Sequence, residues 1–236
     1  MKTIFQITVP GLLAILFLVS CGNKDTERTG FGDAVIVVGS RGGTTVFGLN
    51  LHAFSTDKIT SVIAYATDKP AETYTLVPWE NLSTDFVYET PSAKFNATIP
   101  VTGEYRFKVN FTNGDTLTYT NKLTSVVVMP PQISKCSFRT AEKLIDLEWN
   151  AVENASFYNL KMYDSQGQIV FISPLFVQNR TTYTFGENSQ GWQVNQIPAN
   201  NAQMTIEVST YLLEPGANGT LYQATGRTVS QVTWGL

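Results

Sequence analysis

The sequence has little of the chemistry that enzymes and metal proteins use. It contains one histidine, His52, and two cysteines, Cys21 and Cys136. A single imidazole cannot supply a zinc site built from several histidines, and a lone histidine inside a predicted strand is more often a surface or packing residue than a catalyst. Charged residues make up only 15% of the chain, with 16 Lys and Arg against 19 Asp and Glu. Because this mild acidity comes without basic clusters, it argues against a nucleic-acid partner.

Motifs for phosphate or calcium binding are also missing. Gly39 to Gly43 is rich in glycine, but it lacks the Lys-Ser/Thr of a phosphate loop and no helical pattern follows it. We therefore expect no catalytic residue, no metal site, no cofactor and no enzyme activity. A surface hydrolase stays open as an alternative, because paired carboxylates can meet across space. The sequence gives no reason to prefer any pair, and two examples are Asp85 with Glu89 and Glu187 with Glu207.

The first 20 residues predict a signal peptide. Lys2 makes the start positive, and Gly11 to Leu18 is a compact apolar run. This run is too short to span a bilayer, which needs roughly 20 apolar residues. The four residues Leu18-Val19-Ser20-Cys21 resemble the lipobox of bacterial lipoproteins. That resemblance implies cleavage before Cys21 and lipid attachment to its thiol. The alternative is an ordinary signal peptide that happens to end at a cysteine.

A polar stretch follows, and residues 21–32 are predicted to form a flexible tether with nothing to bury. Asp25 and Glu27, soon after the cysteine, resemble the surface-export signal of lipoproteins from gut-dwelling Gram-negative glycan foragers. The two resemblances imply a protein held in the outer membrane by lipid on Cys21 and exposed at the cell surface. A periplasm-facing position is the alternative. Cys136 then has no partner, and sharing a strand face with Phe138 favours a small buried hydrophobe over a reactive thiol.

From residue 33 onward, short apolar runs alternate with turn residues, which is typical of β-sandwiches and barrels. The clearest strand is Glu104 to Phe111, where apolar and polar residues alternate without error. Asn113-Gly114 then predicts a two-residue turn in which both residues adopt positive φ, leading into Thr116 to Thr120. Gly103-Glu104-Tyr105 resembles the tyrosine corner of immunoglobulin-like sandwiches. We therefore expect an immunoglobulin-like domain over residues 33–129.

Pro130-Pro131 is the expected boundary between two domains. In the second domain, Leu147 to Leu160 resembles strands B and C of fibronectin type III domains. The resemblance implies that Trp149 and Tyr158 meet between two sheets, although Met204 stands where that family places its corner tyrosine. The expected fold class is all-β, with two tandem β-sandwich domains: immunoglobulin-like over 33–129 and fibronectin type III-like over 130–236.

Two tryptophans are the candidates for ligand binding. Trp79 and Trp192 lie in loop-like polar segments, where an indole could stack on a sugar ring while neighbouring amides bond its hydroxyls. The alternative for each is a ring folded down to close the end of a sandwich. The sequence thus favours a non-catalytic surface binding module that captures a glycan or contacts a protein partner in a surface complex. A structural or adhesive protein, associated with a pilus or matrix, is the alternative.

Overall fold

The computed structural model describes residues 28–193, 197–216 and 221–235, and the chain in these ranges is almost entirely β-structure. Cys21, the signal peptide and most of the predicted tether lie outside these ranges. The strands of the N-terminal half are β1 (Gly30–Arg41), β2 (Thr44–Ser55), β3 (Ile59–Ala66), β4 (Tyr74–Pro78), β5 (Asp85–Glu89), β6 (Gly103–Phe111) and β7 (Thr116–Leu123). Those of the C-terminal half are β8 (Ile133–Arg139), β9 (Leu144–Trp149), β10 (Phe157–Tyr163), β11 (Ile169–Ile172), β12 (Phe176–Val177), β13 (Thr182–Gly186), β14 (Ala202–Leu213) and β15 (Tyr222–Trp234).

The N-terminal half is a sandwich of two sheets. One sheet has the strand order β1-β2-β5 and the other β4-β3-β6-β7, and β4 also pairs with β5 over two residue pairs. Alternating apolar side chains from both sheets fill the space between them. On β6 these side chains are Tyr105, Phe107, Val109 and Phe111, all buried as the alternation predicts. The arrangement fits an immunoglobulin-like or fibronectin-like sandwich.

The C-terminal half repeats this architecture. One sheet has the order β13-β9-β8, and the facing sheet has β11-β10-β14-β15 with β12 also on β10. Because β9 and β10 lie in different sheets, Trp149 and Tyr158 meet across the core with ring centroids 5.7 Å apart. This contact confirms the pairing that the fibronectin resemblance implies. Trp234 is buried as well, and its indole contacts Phe138.

The hairpin β6–β7 confirms one motif and corrects another. The Tyr105 hydroxyl donates a hydrogen bond to the Val101 carbonyl at 2.8 Å, which is the contact that defines a tyrosine corner. The turn, however, is longer than the predicted two residues, since the Phe111 amide bonds the Asp115 carbonyl at 2.9 Å. Only Gly114 adopts a positive φ there, of 90°, while Asn113 does not. A three-residue loop needs one left-handed residue rather than two.

The two halves share a continuous sheet. β1 pairs in parallel with β15 through Ile36 with Ala224, Val37 with Thr225 and Val38 with Gly226. This pairing, called the junction below, makes β11-β10-β14-β15-β1-β2-β5 one seven-stranded surface. The predicted domain limits at 129 and 130 stay a prediction.

The segment between β7 and β8 is fastened to the C-terminal half. The buried Gln223 side chain donates to the carbonyls of Thr124 and Val126 at 2.9 and 3.2 Å. Further along, the Thr210 hydroxyl donates to the Met129 carbonyl at 2.9 Å. These bonds satisfy backbone groups that a free linker would leave to water. The connection is therefore part of the folded structure.

Two segments differ from the sequence expectations. Gly30 to Gly32, which the sequence places in the tether, belong to β1 because they pair with residues 53 to 55 of β2. The absence of a side chain at Gly32 leaves room for the Phe107 ring against the backbone. Conversely, the alternation from Phe95 to Ile99 yields only one bridge, between Phe47 and Asn96. The Phe95 ring instead lies over Gly48, where any Cβ would collide with it. The alternation from Phe95 to Ile99 therefore does not form a strand, and Phe95 is apolar because its ring packs on Gly48.

In the described part of the chain, no helix has the length and apolarity that crossing a membrane requires.

Candidate functional site

Trp79 stands on a single 3₁₀ turn, Trp79 to Asn81, directly after β4. Trp79 is 50% exposed, which is unusual for so large and apolar a residue. The two residues that follow, Glu80 and Asn81, have φ of 48° and 64°, in the left-handed region that most side chains avoid. The Leu82 amide closes the turn by bonding the Trp79 carbonyl at 2.8 Å. The chain therefore holds a strained turn that presents an indole to solvent.

The indole borders a cluster of rings on the outer surface of the β1-β2-β5 sheet. Phe31 pairs with Phe54, and Phe54 pairs with Asp85, so these side chains share one face. His52 lies two residues before Phe54, on the same face. The His52 ring is 5.2 Å from Phe31 and 6.5 Å from Trp79, nearly perpendicular to both. We call these five residues, Phe31, His52, Phe54, Trp79 and Asp85, the Trp79 face.

Polar atoms are fixed within this face. His52 Nε2 lies 3.3 Å from Asp85 Oδ1, and the Thr84 hydroxyl donates to Asp85 Oδ2 at 2.8 Å. Both side chains are only partly exposed, so their positions are set by packing as well as by these bonds. An exposed ring beside an oriented imidazole and carboxylate can stack on an apolar surface of a ligand and bond its hydroxyl groups.

Trp192 is placed differently. Its indole nitrogen donates to the Gly186 carbonyl at 3.2 Å, and its backbone forms a bridge with Phe171. The ring packs edge-on against Phe171 at 5.2 Å and against Trp234 at 5.4 Å. This geometry favours the alternative in which Trp192 closes the end of the C-terminal sandwich. The two tryptophans do not come together, because they belong to different halves of the chain.

The other expectations concern carboxylates, metals and cofactors. Of the carboxylate pairs left open, Asp85 is held by His52, Glu187 pairs with Lys143 at 3.2 Å, and Glu207 accepts a bond from Ser209 at 2.9 Å. Residues 28–193, 197–216 and 221–235 contain no group of three or more His, Cys, Asp or Glu that could hold a metal ion. Cys136 is half-buried, and burial raises the pKa of its thiol.

Sequence reasoning identified Trp79 but not its neighbours. Leu49 and Leu51 alternate with His52, which indicates that His52 faces away from the core. This is the one sequence signal that points to His52 as part of an outer surface. Its partner Asp85 lies 33 residues further on, across the β2–β5 pairing. Phe31 lies in the segment that the sequence predicts to be a flexible tether. No local pattern shows that these three side chains share a surface with Trp79.

Comparisons with known proteins give only remote likenesses. No protein-family model matches the chain, and no curated protein matches its sequence. Among solved structures, the 47-kilodalton lipoprotein of Treponema pallidum is similar at 11% identity with a TM-score of 0.36, over 85% of this chain and 50% of that one. The FN1–FN3 domains of chicken CNTN1 are similar at 14% identity and 0.26, over 84% and 63%. The adhesin domain of Epf from Streptococcus pyogenes is similar at 8% identity and 0.28, over 82% and 74%.

This chain thus spans half the length of the Treponema lipoprotein. With TM-scores this low, none of the three assigns a family or a function.

Proposed function

We propose that the chain is a non-catalytic, lipid-anchored surface protein that captures glycans on its Trp79 face. The observation that carries this proposal is the half-exposed Trp79 indole held beside the His52–Asp85 pair. Exposing a large apolar surface such as an indole to water is unfavourable. When a ligand covers the indole, this unfavourable free energy is removed. The imidazole and the carboxylate supply directional bonds at its edge. Together they distinguish a hydroxylated ring from a purely apolar surface.

The rigidity of the face supports the proposal. β2 pairs with β1 over its whole length and with β5 over five residue pairs. His52, Phe54 and Asp85 are therefore held by a ladder of backbone hydrogen bonds. Because the face is already ordered, a ligand that binds there causes little loss of conformational entropy in the protein, and this favours affinity.

The proposed anchor places the face close to the membrane. Eight residues lie between Cys21 and Gly30, the first residue of β1, so nine Cα–Cα steps join the two. Fully extended, they reach about 30 Å. Phe31, the next residue, belongs to the Trp79 face. A glycan bound there is held at the membrane, which suits capture for uptake at an outer-membrane surface.

Affinity electrophoresis and a glycan array with the mature chain test this function. Trp79→Ala should weaken binding about tenfold or more, a loss typical of a stacking contact. The matched control is Val229→Ala, which also removes an exposed apolar side chain, at 59% exposure, from the other half. His52→Ala should weaken binding less than Trp79→Ala does. If Trp79→Ala binds every glycan as the unmodified chain does, the proposed face is wrong.

An adhesive role is the second candidate, and one edge of the C-terminal half favours it. Leu175, directly before the two-residue strand β12, is 62% exposed, and Val177, within β12, is 66% exposed. Exposed apolar side chains at a sheet edge promote pairing with another chain. Sedimentation velocity should then show self-association that Leu175→Ser and Val177→Ser abolish. A monomer at all concentrations would contradict this second role.

A further inference from the structure

A cleft lies across the junction, on the outer surface of the continuous sheet. Its volume is about 460 Å³, within the range of small-molecule sites. Val37 and Gly39 of β1 form part of its lining. One side is formed by the segment after β5, which includes Ser92 and Phe95, and the opposite side by side chains of β14 and β15. Clefts between two packed units are preferred positions for ligands.

The side formed by the segment after β5 is fixed to β2 at several points. Phe47 and Asn96 exchange two backbone hydrogen bonds of 2.7 and 3.1 Å. The Thr90 hydroxyl donates to the Leu49 carbonyl at 2.9 Å, and the Leu49 amide donates back to it at 3.0 Å. The Phe95 ring lies against Gly48, where a side chain would collide with it. This side of the cleft is therefore preformed.

Two guanidinium groups line the cleft. Arg41, at the end of β1, donates to the Ser92 carbonyl, and Arg227 projects from β15. Among residues 28–193, 197–216 and 221–235, neither has a carboxylate within 4.0 Å, although Arg28, Arg106 and Arg139 all do. The one carboxylate that lines the cleft, Glu207, accepts a bond from Ser209 instead. The cleft thus carries more positive than negative charge in a chain whose net charge is −3.

We propose that this junction cleft binds an acidic saccharide, with the sugar carboxylate held by Arg41 and Arg227. Guanidinium groups bind carboxylates through paired, charge-assisted hydrogen bonds. Glu207, Ser40 and Ser92 line the same cleft and are residue types that bond sugar hydroxyls, and Phe95, also in the lining, is of a type that packs against a sugar ring. A peptide carboxylate would use the two arginines as well, but a sugar also presents several hydroxyl groups, each of which can donate to Glu207 or accept from a serine hydroxyl. This site does not depend on the Trp79 face.

Isothermal titration of the mature chain with trigalacturonic acid tests the proposal. The acid should bind at least tenfold more tightly than a neutral trisaccharide of the same length, and binding should weaken with added salt. Arg227→Gln and Arg41→Gln should each lose at least tenfold, and Arg41→Lys should lose less because it keeps the charge. Arg106→Gln is the matched control, since it removes one exposed arginine on β6 and should change nothing.

Three outcomes would overturn the inference. They are equal affinity for the acidic and neutral sugars, equal effects of Arg227→Gln and Arg106→Gln, and tighter binding of an acidic peptide with a free C-terminus. Trp79→Ala separates this site from the proposed function: it should leave binding of trigalacturonic acid unchanged while weakening glycan capture at the Trp79 face about tenfold or more. Thermal melts of the arginine variants should match the unmodified chain, because both side chains lie at the surface of the cleft.

Discussion

Asp33 is a carboxylate buried on β1, next to the junction. Its Oδ2 accepts a hydrogen bond from the Tyr222 amide of β15 at 3.2 Å, whereas its Oδ1 has no hydrogen-bond partner among the described residues. Burial, helped by the nearby Glu214 and opposed by hydrogen bonds from the Tyr222 and Ala34 amides, raises the pKa of this carboxyl to about 7. The charged form is therefore disfavoured in the folded chain. Asp33 makes the stability of the fold depend on pH near neutrality.

The sign of this dependence follows from proton linkage. The folded carboxyl has a pKa of about 7 and the unfolded one of 3.8, so the folded state binds more protons between those values. The free energy of unfolding should fall by about 2–3 kcal/mol as the pH rises from 5 to 8. Asp33→Asn should flatten that part of the profile and make the chain more stable at pH 8. Urea unfolding at several pH values measures this, and parallel profiles for both proteins would contradict it.

Two tyrosine hydroxyls of the N-terminal half offer a matched comparison. The Tyr105 hydroxyl donates to the Val101 carbonyl, whereas the buried Tyr119 hydroxyl has no hydrogen-bond partner in the part of the chain that the structure describes. Tyr105→Phe should therefore cost about 1–2 kcal/mol of unfolding free energy, because it leaves a carbonyl without its donor. Tyr119→Phe should cost nothing or stabilise. Chemical denaturation measures both, and equal effects would argue against the tyrosine corner as a stabilising contact.

At the scale of strands, local patterns predicted central elements of both halves, whereas the two-residue turn at Asn113-Gly114 and the alternation from Phe95 to Ile99 were misleading. The alternation from Glu104 to Phe111 predicted β6 and its buried face, and Leu147 to Leu160 predicted that Trp149 meets Tyr158. What lies between distant strands was not predictable. β1 meets β15 across almost the whole described chain, and such a parallel pairing leaves no periodic signal in either segment. The sequence did not predict the junction cleft or the neighbours of Trp79, because the residues of each come from strands that pair only in the folded chain.

The connection between the halves can be tested at one glycine of β15. A Cβ at Gly226 would lie 2.6 Å from backbone atoms of Met129 and Pro130, which cannot move aside as a side chain can. Gly226→Ala should therefore destabilise the chain by about 1–3 kcal/mol. Gly39→Ala is the control, since its nearest neighbour would be the Phe95 ring at 3.6 Å, an ordinary contact. Urea titration compares the two, and a Gly226→Ala midpoint equal to that of the control would contradict the packing described.

For the whole molecule, the junction and the fastened connection predict shared stability. β1, the first strand, is completed by β15, the last, and Gln223 and Thr210 hold the segment between β7 and β8. Neither half can unfold without exposing hydrogen-bonding groups of the other. Differential scanning calorimetry should show one transition with equal calorimetric and van't Hoff enthalpies. Two resolved transitions would show that the halves are independent.

Glycan binding by intact cells that display the full chain tests the central claim most directly. Cells with the unmodified chain should retain a fluorescent glycan at their surface. Cys21→Ala should release the protein from the membrane fraction, while Trp79→Ala should leave it in place but abolish retention of the glycan. Trp79→Ala cells that carry the protein and hold the glycan as strongly as unmodified cells would contradict the account.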